Sequence, residues 1–384
     1  MKIGVVTVAR SDYSIYYPLL KRIEEDSELE LFLIVTGAHL SPEFGMTVQA
    51  IEEDGFKTER VEMLLSSDSP EGISKSMGLG TIGFAEVYSR AKLDLLIVLG
   101  DRFEMHSAVV AAVPFNIPIA HIHGGELTEG AIDDSFRHSI TKMSHLHFVS
   151  TETYARRVRQ MGEERVVVSG ALSFDSILAT DFLSKADLSN QLGITFEEPI
   201  LLITYHPVTL ELDSTEEQIE ELLAALEEQK GTLIFTYPNA DPGNQIIIEK
   251  VQEFTDNHSN AYFFKSLGRA YYSLMKLASV IIGNSSSGIT EAALFSVPVV
   301  NIGNRQKGRM KGANVIDTVC DRLEIKKAID KSFSLDLQLT NPYGDGQAVD
   351  RIISRIKQPE NLLVKRFKDY SSVPVCPNCN RGAL

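Results

Sequence analysis

Three groups of residues in this 384-residue chain have the types and spacing to do chemistry. The first gathers Gly100-Asp101-Arg102, then His121-Ile122-His123-Gly124-Gly125-Glu126, then Asp133-Asp134 with Arg137 and His138. Carboxylates crowded together push one another's proton affinities apart, and burial widens the gap, so one can take a proton while another gives one. Near a helix start, Asp133 and Asp134 also read as caps and dipole partners. The second group is Asn284-Ser285-Ser286-Ser287-Gly288 with the cation-bearing run Gly303-Asn304-Arg305-Gln306-Lys307-Gly308-Arg309. Serines at a helix start are ordinary caps, but three of them beside exposed backbone N–H groups also form an anion site. With the basic run they look like a diphosphate cradle, and Glu291, one turn further on, reads either as a surface residue or as a carboxylate that accepts both hydroxyls of a ribose. The third group follows strand ends. Arg10 in Arg10-Ser11-Asp12-Tyr13-Ser14 reads as a phosphate ligand or a surface ion-pair partner, and His206, before Pro207, is held extended with its ring toward a cleft.

Signals for metals or cofactors are present but lack the context they need. Gly78, Gly80 and Gly83 spell Gly-x-Gly-x-x-Gly, yet Glu71–Met77 ahead of them has no strand pattern, and a dinucleotide fingerprint must follow the first strand. Five of the nine histidines lie between His121 and His147, but no cysteine is near His145 and His147 to complete a zinc site. Cys376-Pro377-Asn378-Cys379 has no second pair, since Cys320 is the one cysteine left. The expectation is an enzyme with neither metal nor cofactor.

Positioning these groups requires strands that end at them. Short runs rich in Val, Ile and Leu recur at Ile3–Ala9, Glu30–Thr36, Leu93–Gly100, Ile117–Ile122 and Arg165–Ser169, separated by stretches of helical periodicity. Such strands are buried on both faces, and their alternation with helices predicts a doubly wound parallel sheet. After the polar stretch Leu183–Pro199 a second series begins at Ile200–Tyr205, Thr232–Tyr237, Ala261–Phe264, Val280–Gly283 and Val297–Ile302. The expected division is an N-terminal α/β domain, 1–178, and a second Rossmann-like domain, 179–354. Helical spacing at Gln347–Lys357 and Leu362–Tyr370, interrupted by Pro359, predicts a kinked helix pair; residues 355–384 would complete the first domain.

Composition narrows the function. Hydrophobic residues at 43% and charged residues at 23% are those of a globular chain. Against 52 acidic side chains stand 37 basic ones, and a net charge of −15 repels a polyanion, which argues against nucleic-acid binding while leaving room for a small anionic ligand. No apolar run has the roughly 18 residues of a membrane helix, and three cysteines cannot build a disulfide framework, so a soluble cytoplasmic protein is expected.

Taken in order, Arg10–Ser14, Thr36-Gly37-Ala38-His39-Leu40, Gly100–Arg102, His121–Glu126, Ala131–Ser135 with Arg137-His138, His206-Pro207, Pro238–Asp241 and Gly283–Gly288 strongly resemble the hydrolysing UDP-N-acetylglucosamine 2-epimerases of bacterial sialic acid synthesis. That resemblance implies a fold like glycosyltransferase type B, two Rossmann-like domains facing across a cleft. It also implies a reaction: UDP leaves C1 as the C2 proton is lost, giving a 2-acetamidoglucal. Water then adds at C1 while C2 is reprotonated on the other face, yielding N-acetylmannosamine and UDP. Carried over, Arg10, Ser285, Ser286 and Arg305 bind the diphosphate and Glu291 the ribose, while His206 and Asn239 line the cleft; Ser14 and His39 join the substrate-binding set. Asp101, Glu126 and Asp133 are the acid/base residues, with Arg102 oriented by Asp101. Some relatives carry Glu where this chain has His123, which leaves the second proton-transfer role open among His123, Glu126 and Glu129. Relatives acting on a UDP-2,4-diacetamido-trideoxy hexose share nearly the same motifs, and a homodimer or homotetramer is expected. The rivals are a type B glycosyltransferase, which would need an acceptor groove, and a nucleotide-sugar-binding regulator, which has no use for carboxylates poised to move protons.

Overall fold

In a computed structural model of the chain, residues 1–42, 45–65, 69–127, 132–208, 211–238, 243–265, 267, 270–335, 342–358 and 360–368 are described. Their strands make two all-parallel sheets. The first contains β1 (Lys2–Thr7), β2 (Glu30–Thr36), β3 (Thr58–Val61), β4 (Leu95–Leu99), β5 (Ile119–Ile122), β6 (Leu146–Val149) and β7 (Val166–Val168), in the order 3-2-1-4-5-6-7. The second contains β8 (Ile200–Thr204), β9 (Thr232–Thr236), β10 (Ala261–Phe264), β11 (Val280–Gly283), β12 (Val299–Ile302) and β13 (Val315–Thr318), in the order 10-9-8-11-12-13. Every residue of β4 and β8 is buried, as their unbroken apolar sequences require when helices cover both faces. In both sheets the strand order reverses beside the first strand, between β1 and β4 and between β8 and β11. At such a switch point the crossover helices run to opposite faces, and a crevice opens beyond the strands' carboxyl ends.

Several local outcomes differ from the sequence pattern. β3 and β13 are edge strands, and neither Thr-Glu-Arg-Val nor Val-Ile-Asp-Thr forms the continuous apolar run that marks a central strand. Gly78, Gly80 and Gly83 lie inside the helix Pro70–Ala91, where a Cβ on Gly80 would stand 2.7 Å from Met63 and one on Gly83 2.8 Å from Val61. These two glycines let a helix lie close on its neighbours and have no phosphate-binding geometry.

The chain returns to the first half at the helix Ala348–Ile356, ahead of residue 355. Asp175 caps this helix by accepting the Ala348 and Val349 amides at 3.0 Å each, and Ile352, Ile353 and Ile356 join the first core. The second helix expected at Leu362–Tyr370 does not form over residues 360–368. Side chains of the first half compete for this segment: Arg165 Nη2 donates to the Asn361 and Val364 carbonyls at 3.2 and 3.0 Å. Lys365 reaches inward to the Ser144 carbonyl at 2.7 Å and Glu163 at 2.8 Å. Among the described residues no helix is long and apolar enough to cross a membrane.

Candidate active site

The turn after β4 carries Asp101 and Arg102 to the first switch point. Asp101 Oδ2 accepts from Nη2 of Arg137, whose Nη1 donates to Asp134 Oδ1 at 2.5 Å and to the Glu126 carbonyl at 3.0 Å. Arg137 is buried, and burial pulls its pKa down to about 10; the guanidinium stays charged, and the carboxylates it holds offset the cost of burying it. Arg102 is the exposed N-cap residue of the helix Phe103–Ala112.

Beyond β5 the two histidines part roles. His121 is structural: fully buried, with burial lowering its pKa to about 3, it donates from Nε2 to the Gly100 carbonyl at 2.8 Å and so ties β5 to the turn that presents Asp101. His123 turns the chain at φ +63°, a left-handed conformation costing a non-glycine residue roughly 1–2 kcal/mol. Such strain persists where the surroundings enforce it, and it clusters at functional sites. The Leu172 amide donates to His123 Nε2 at 3.4 Å, which puts the proton of the neutral ring on Nδ1, 3.8 Å from Glu126 Oε1. Burial holds the His123 pKa below the usual histidine range. Glu126 also accepts from Ser150 at 3.4 Å and meets Arg309 Nη1 at 3.6 Å.

At the second switch point the equipment is different. Gly283 ends β11 at φ +131°, and a Cβ there would lie 1.9 Å from the Thr204 carbonyl oxygen, so the close join to β8 admits no side chain. Asn284, fully buried, accepts the His206 amide at 2.7 Å and donates to the His206 carbonyl at 2.8 Å. Its own carbonyl accepts from Arg305 at 3.2 Å and Gln306 at 2.8 Å, so one asparagine aligns the ends of β8, β11 and β12. Ser285 caps the short helix Ser286–Thr290 by position, but its hydroxyl makes no cap hydrogen bond. His206 is buried and neutral, its pKa lowered to about 3 by burial and then by Arg305. Burial raises the Glu291 carboxyl to about 7, with hydrogen bonds from Ser287 and from Ser173 of the first half acting against it.

The two edges enclose a cavity of about 200 Å³. Asp101, Arg102, His123, Glu126 and Arg137 line it from one side and Ser286, Glu291 and Arg309 from the other. Asp12, to which the sequence pattern assigned no role, lines it too. Asp12 Oδ2 and the nearby Glu104 Oε2 are buried without a hydrogen-bond partner, and burial raises Asp12 and lifts Glu104 to about 7. Asp12 stands within the Arg10–Ser14 run and Glu104 three residues after Asp101. Each sits in the first turn of a helix, where an acid reads as a dipole partner, and that hid both.

Other expected site residues fall elsewhere. His39 is fully buried between Thr7 and Thr47, at 2.9 and 2.7 Å from their hydroxyls, so neither ring nitrogen is left for a substrate. Ser14 donates to the Arg10 carbonyl of its own helix at 2.9 Å and, like the exposed Arg10, stands outside the cavity lining. Asp133 opens the helix Asp133–Met143, half-buried, and is not among the residues lining the cavity. Ser285, His206 and Arg305 gather next to Ser286 without lining this cavity. Asn239, Glu129, Cys376 and Cys379 lie outside the described residues. Among those described, no group of His, Cys, Asp and Glu is arranged to hold a metal; His145 accepts the Ile119 amide and His147 meets Glu163 at 3.2 Å.

Two doubly wound sheets with an ionisable edge facing a hydroxyl-rich one define an enzyme of the glycosyltransferase-B-like build. S. aureus MnaA, solved with UDP, shares this fold at a TM-score of 0.76 and 20% identity, over 93% of this chain and 96% of that one. The chain is 44% identical over 328 residues to the GDP/UDP-N,N'-diacetylbacillosamine 2-epimerase (hydrolyzing) of Campylobacter jejuni, covering 84% of this chain and 85% of that one. It is 37% identical over 385 residues to polysialic acid biosynthesis protein P7 of Escherichia coli, covering 98% of each. Residues 21–357 match the family model for UDP-N-acetylglucosamine 2-epimerase, and the chain belongs to that family, as a hydrolysing UDP-sugar 2-epimerase.

Proposed function

We propose that the substrate is a UDP-2,4-diacetamido-trideoxy hexose, cleaved and epimerised at C2 through a 2-acetamidoglucal. Asp101, Glu126 and Asp133 serve as acid/base residues with His123 and Arg102 beside them. Ser285, Ser286 and Arg305 hold the diphosphate, with Arg10 reaching it from the first half; Glu291 takes the ribose, and His206 and Asn239 line the cleft. The observation carrying this reading is the convergence of Asp101, His123 and Glu126 with Ser286 and Glu291 on one cavity. Elimination needs a base at C2 and an anion site for the leaving diphosphate, and the two edges supply these separately. A division into 1–178 with the returning C-terminal segment and a second domain from 179 is supported by one large core holding β1–β6 and Ala348–Ile356 and by separate clusters around β8–β12.

The C4 acetamido group is supported by the Campylobacter relative, whose name specifies N,N'-diacetylbacillosamine. UDP-N-acetylglucosamine, with N-acetylmannosamine as product for sialic acid synthesis, is the second reading, favoured by the P7 relative. Exposed Leu79 and Ile82 on one helix, and Val110 and Val113 on and beyond the helix packed against it, support self-association of a cytoplasmic homodimer or homotetramer. Incubation with each UDP-sugar and with the GDP form, without any acceptor, tests the reading. Nucleotide release should be fastest from the UDP-diacetamido sugar; no release without an acceptor would turn the assignment to a glycosyltransferase.

A further inference from the structure

Arg309 belongs to the second half by sequence, yet its guanidinium rests against a carboxylate of the first. Nη1 is 3.6 Å from Glu126 Oε2, and both side chains are less than one-fifth exposed, at 19% and 12%. Attraction between charges at this separation is several times stronger in partly buried surroundings than in bulk water. The charge reaches further: it acts against protonation of His123 and Arg137 and favours the ionised form of Glu291.

The neighbouring backbone is fastened from outside the second sheet. The Met310 amide donates to the Tyr154 hydroxyl at 3.2 Å, and the Tyr343 hydroxyl donates to the Met310 carbonyl. The two hydroxyls stand 3.4 Å apart, both rings are buried, and the Tyr343 carbonyl accepts the Ala171 amide at 2.7 Å. Both polar backbone groups of Met310 are therefore tied to tyrosines anchored in the first half. Tyr154 comes from the helix Glu152–Gln160, and Tyr343 packs with it in one apolar cluster. The clamp fixes where Arg309 emerges, next to Glu126 in the cavity wall. Arg305, four residues earlier, is turned instead to the Asn284 carbonyl.

We infer that Arg309 is a positioning residue for Glu126, delivered by the second half of the molecule, so that the acid/base edge is complete only when the two halves are closed. The inference rests on Glu126 taking part in proton transfer. With the halves apart, Glu126 keeps Ser150 and His123 but loses the cation that fixes its second oxygen. Closure around a bound nucleotide sugar then does two things at once: it narrows the cavity and sets the carboxylate. An arginine used for the diphosphate instead would govern UDP affinity.

Those uses separate in a cycle of Arg309→Met, Glu126→Gln and the double variant, read by kcat for nucleotide release and by UDP affinity from calorimetry. Arg309→Met should lose about 10- to 100-fold in kcat and keep UDP affinity within about twofold. Arg309→Lys should recover part of the loss. The double variant should be no more than about threefold worse than the poorer single one, because both changes remove one coupled unit. Tyr343→Phe, which frees the Met310 carbonyl while leaving the Arg309 and Glu126 side chains unaltered, should lower kcat in the same direction and less. Losses that multiply in the double variant would overturn the inference, as would weakened UDP binding at unchanged kcat, or a Glu126→Gln enzyme with full turnover. Failure of the functional reading shows separately, as wild-type protein that releases no nucleotide.

Discussion

The edges of the two sheets share a topology and differ in equipment. At the first, ionisable groups are packed against one another: Arg137 holds Asp101 and Asp134, His123 faces Glu126, and Asp12 and Glu104 are buried with an oxygen unpartnered each. At the second, the join is made by a glycine and an asparagine that staples backbone to backbone, and the surface presented mixes serine hydroxyls with Arg305, Arg309 and the Glu291 carboxyl. Buried charge is costly unless it is paired, and that cost is tolerated where protons must move. Neutral hydroxyls and backbone carry little such cost and suit a site that binds an anion and lets it go. On the proposed reading, one fold used twice is divided into an edge for chemistry and an edge for holding.

The division breaks if amide substitutions at the first edge act on binding. Asp101→Asn and Glu126→Gln should keep UDP affinity near normal and lose about 100-fold or more in turnover. Asp101→Asn should also lower Tm, since it takes a charged acceptor from the buried Arg137. Loss confined to Tm, with turnover intact, would make these residues structural.

Arg305→Ala is the converse at the second edge. UDP affinity should fall by about 1.5–3 kcal/mol, with saturated turnover changed little. Unchanged UDP binding by calorimetry would place the anion site elsewhere.

Glu104 sharpens the contrast through pH. Burial pushes its carboxyl up to about 7 in the folded chain, against an ordinary value of 4.5, so the folded form binds the proton more tightly. Stability from this group is present below about pH 4.5 and lost as pH rises through about 7. Urea melts of Glu104→Gln should show a gain of about 1–3 kcal/mol at pH 8 and almost none at pH 4. An equal gain at both would mean that burial of charge is not the cause. Smallest of all, Ser286→Ala should weaken UDP by about 0.5–1.5 kcal/mol, the worth of one neutral hydrogen bond.

How much of this was legible in the sequence follows the same line. Central strands announce themselves as unbroken Val, Ile and Leu runs because both faces are buried, and from that alone the residues after β4 and β5 could be placed at one edge of the first sheet and those after β11 at a strand end of the second. Edge strands β3 and β13 carry polar residues on a half-exposed face and gave no such run. The helical spacing at Leu362–Tyr370 was real, but Arg165 captures the Asn361 and Val364 carbonyls and Lys365 turns inward to Ser144 and Glu163, a competition no local pattern shows. Within the site, spacing found Asp101, His123, Glu126 and Ser286. It could not find the Arg137–Asp101 pair, which joins residues 36 apart, or the Glu126–Arg309 contact between the halves. His39 shows the opposite failure: its motif is recognisable, yet Thr7 and Thr47 take both ring nitrogens.

The central claim is that the first edge exchanges the C2 proton with solvent while the second releases UDP. Proton NMR of the enzyme turning over its UDP-sugar in deuterium oxide tests it most directly. The account predicts UDP appearing together with a 2-epimerised sugar that carries deuterium at C2. A product that keeps its original C2 proton would contradict the elimination mechanism and the division of labour built on it.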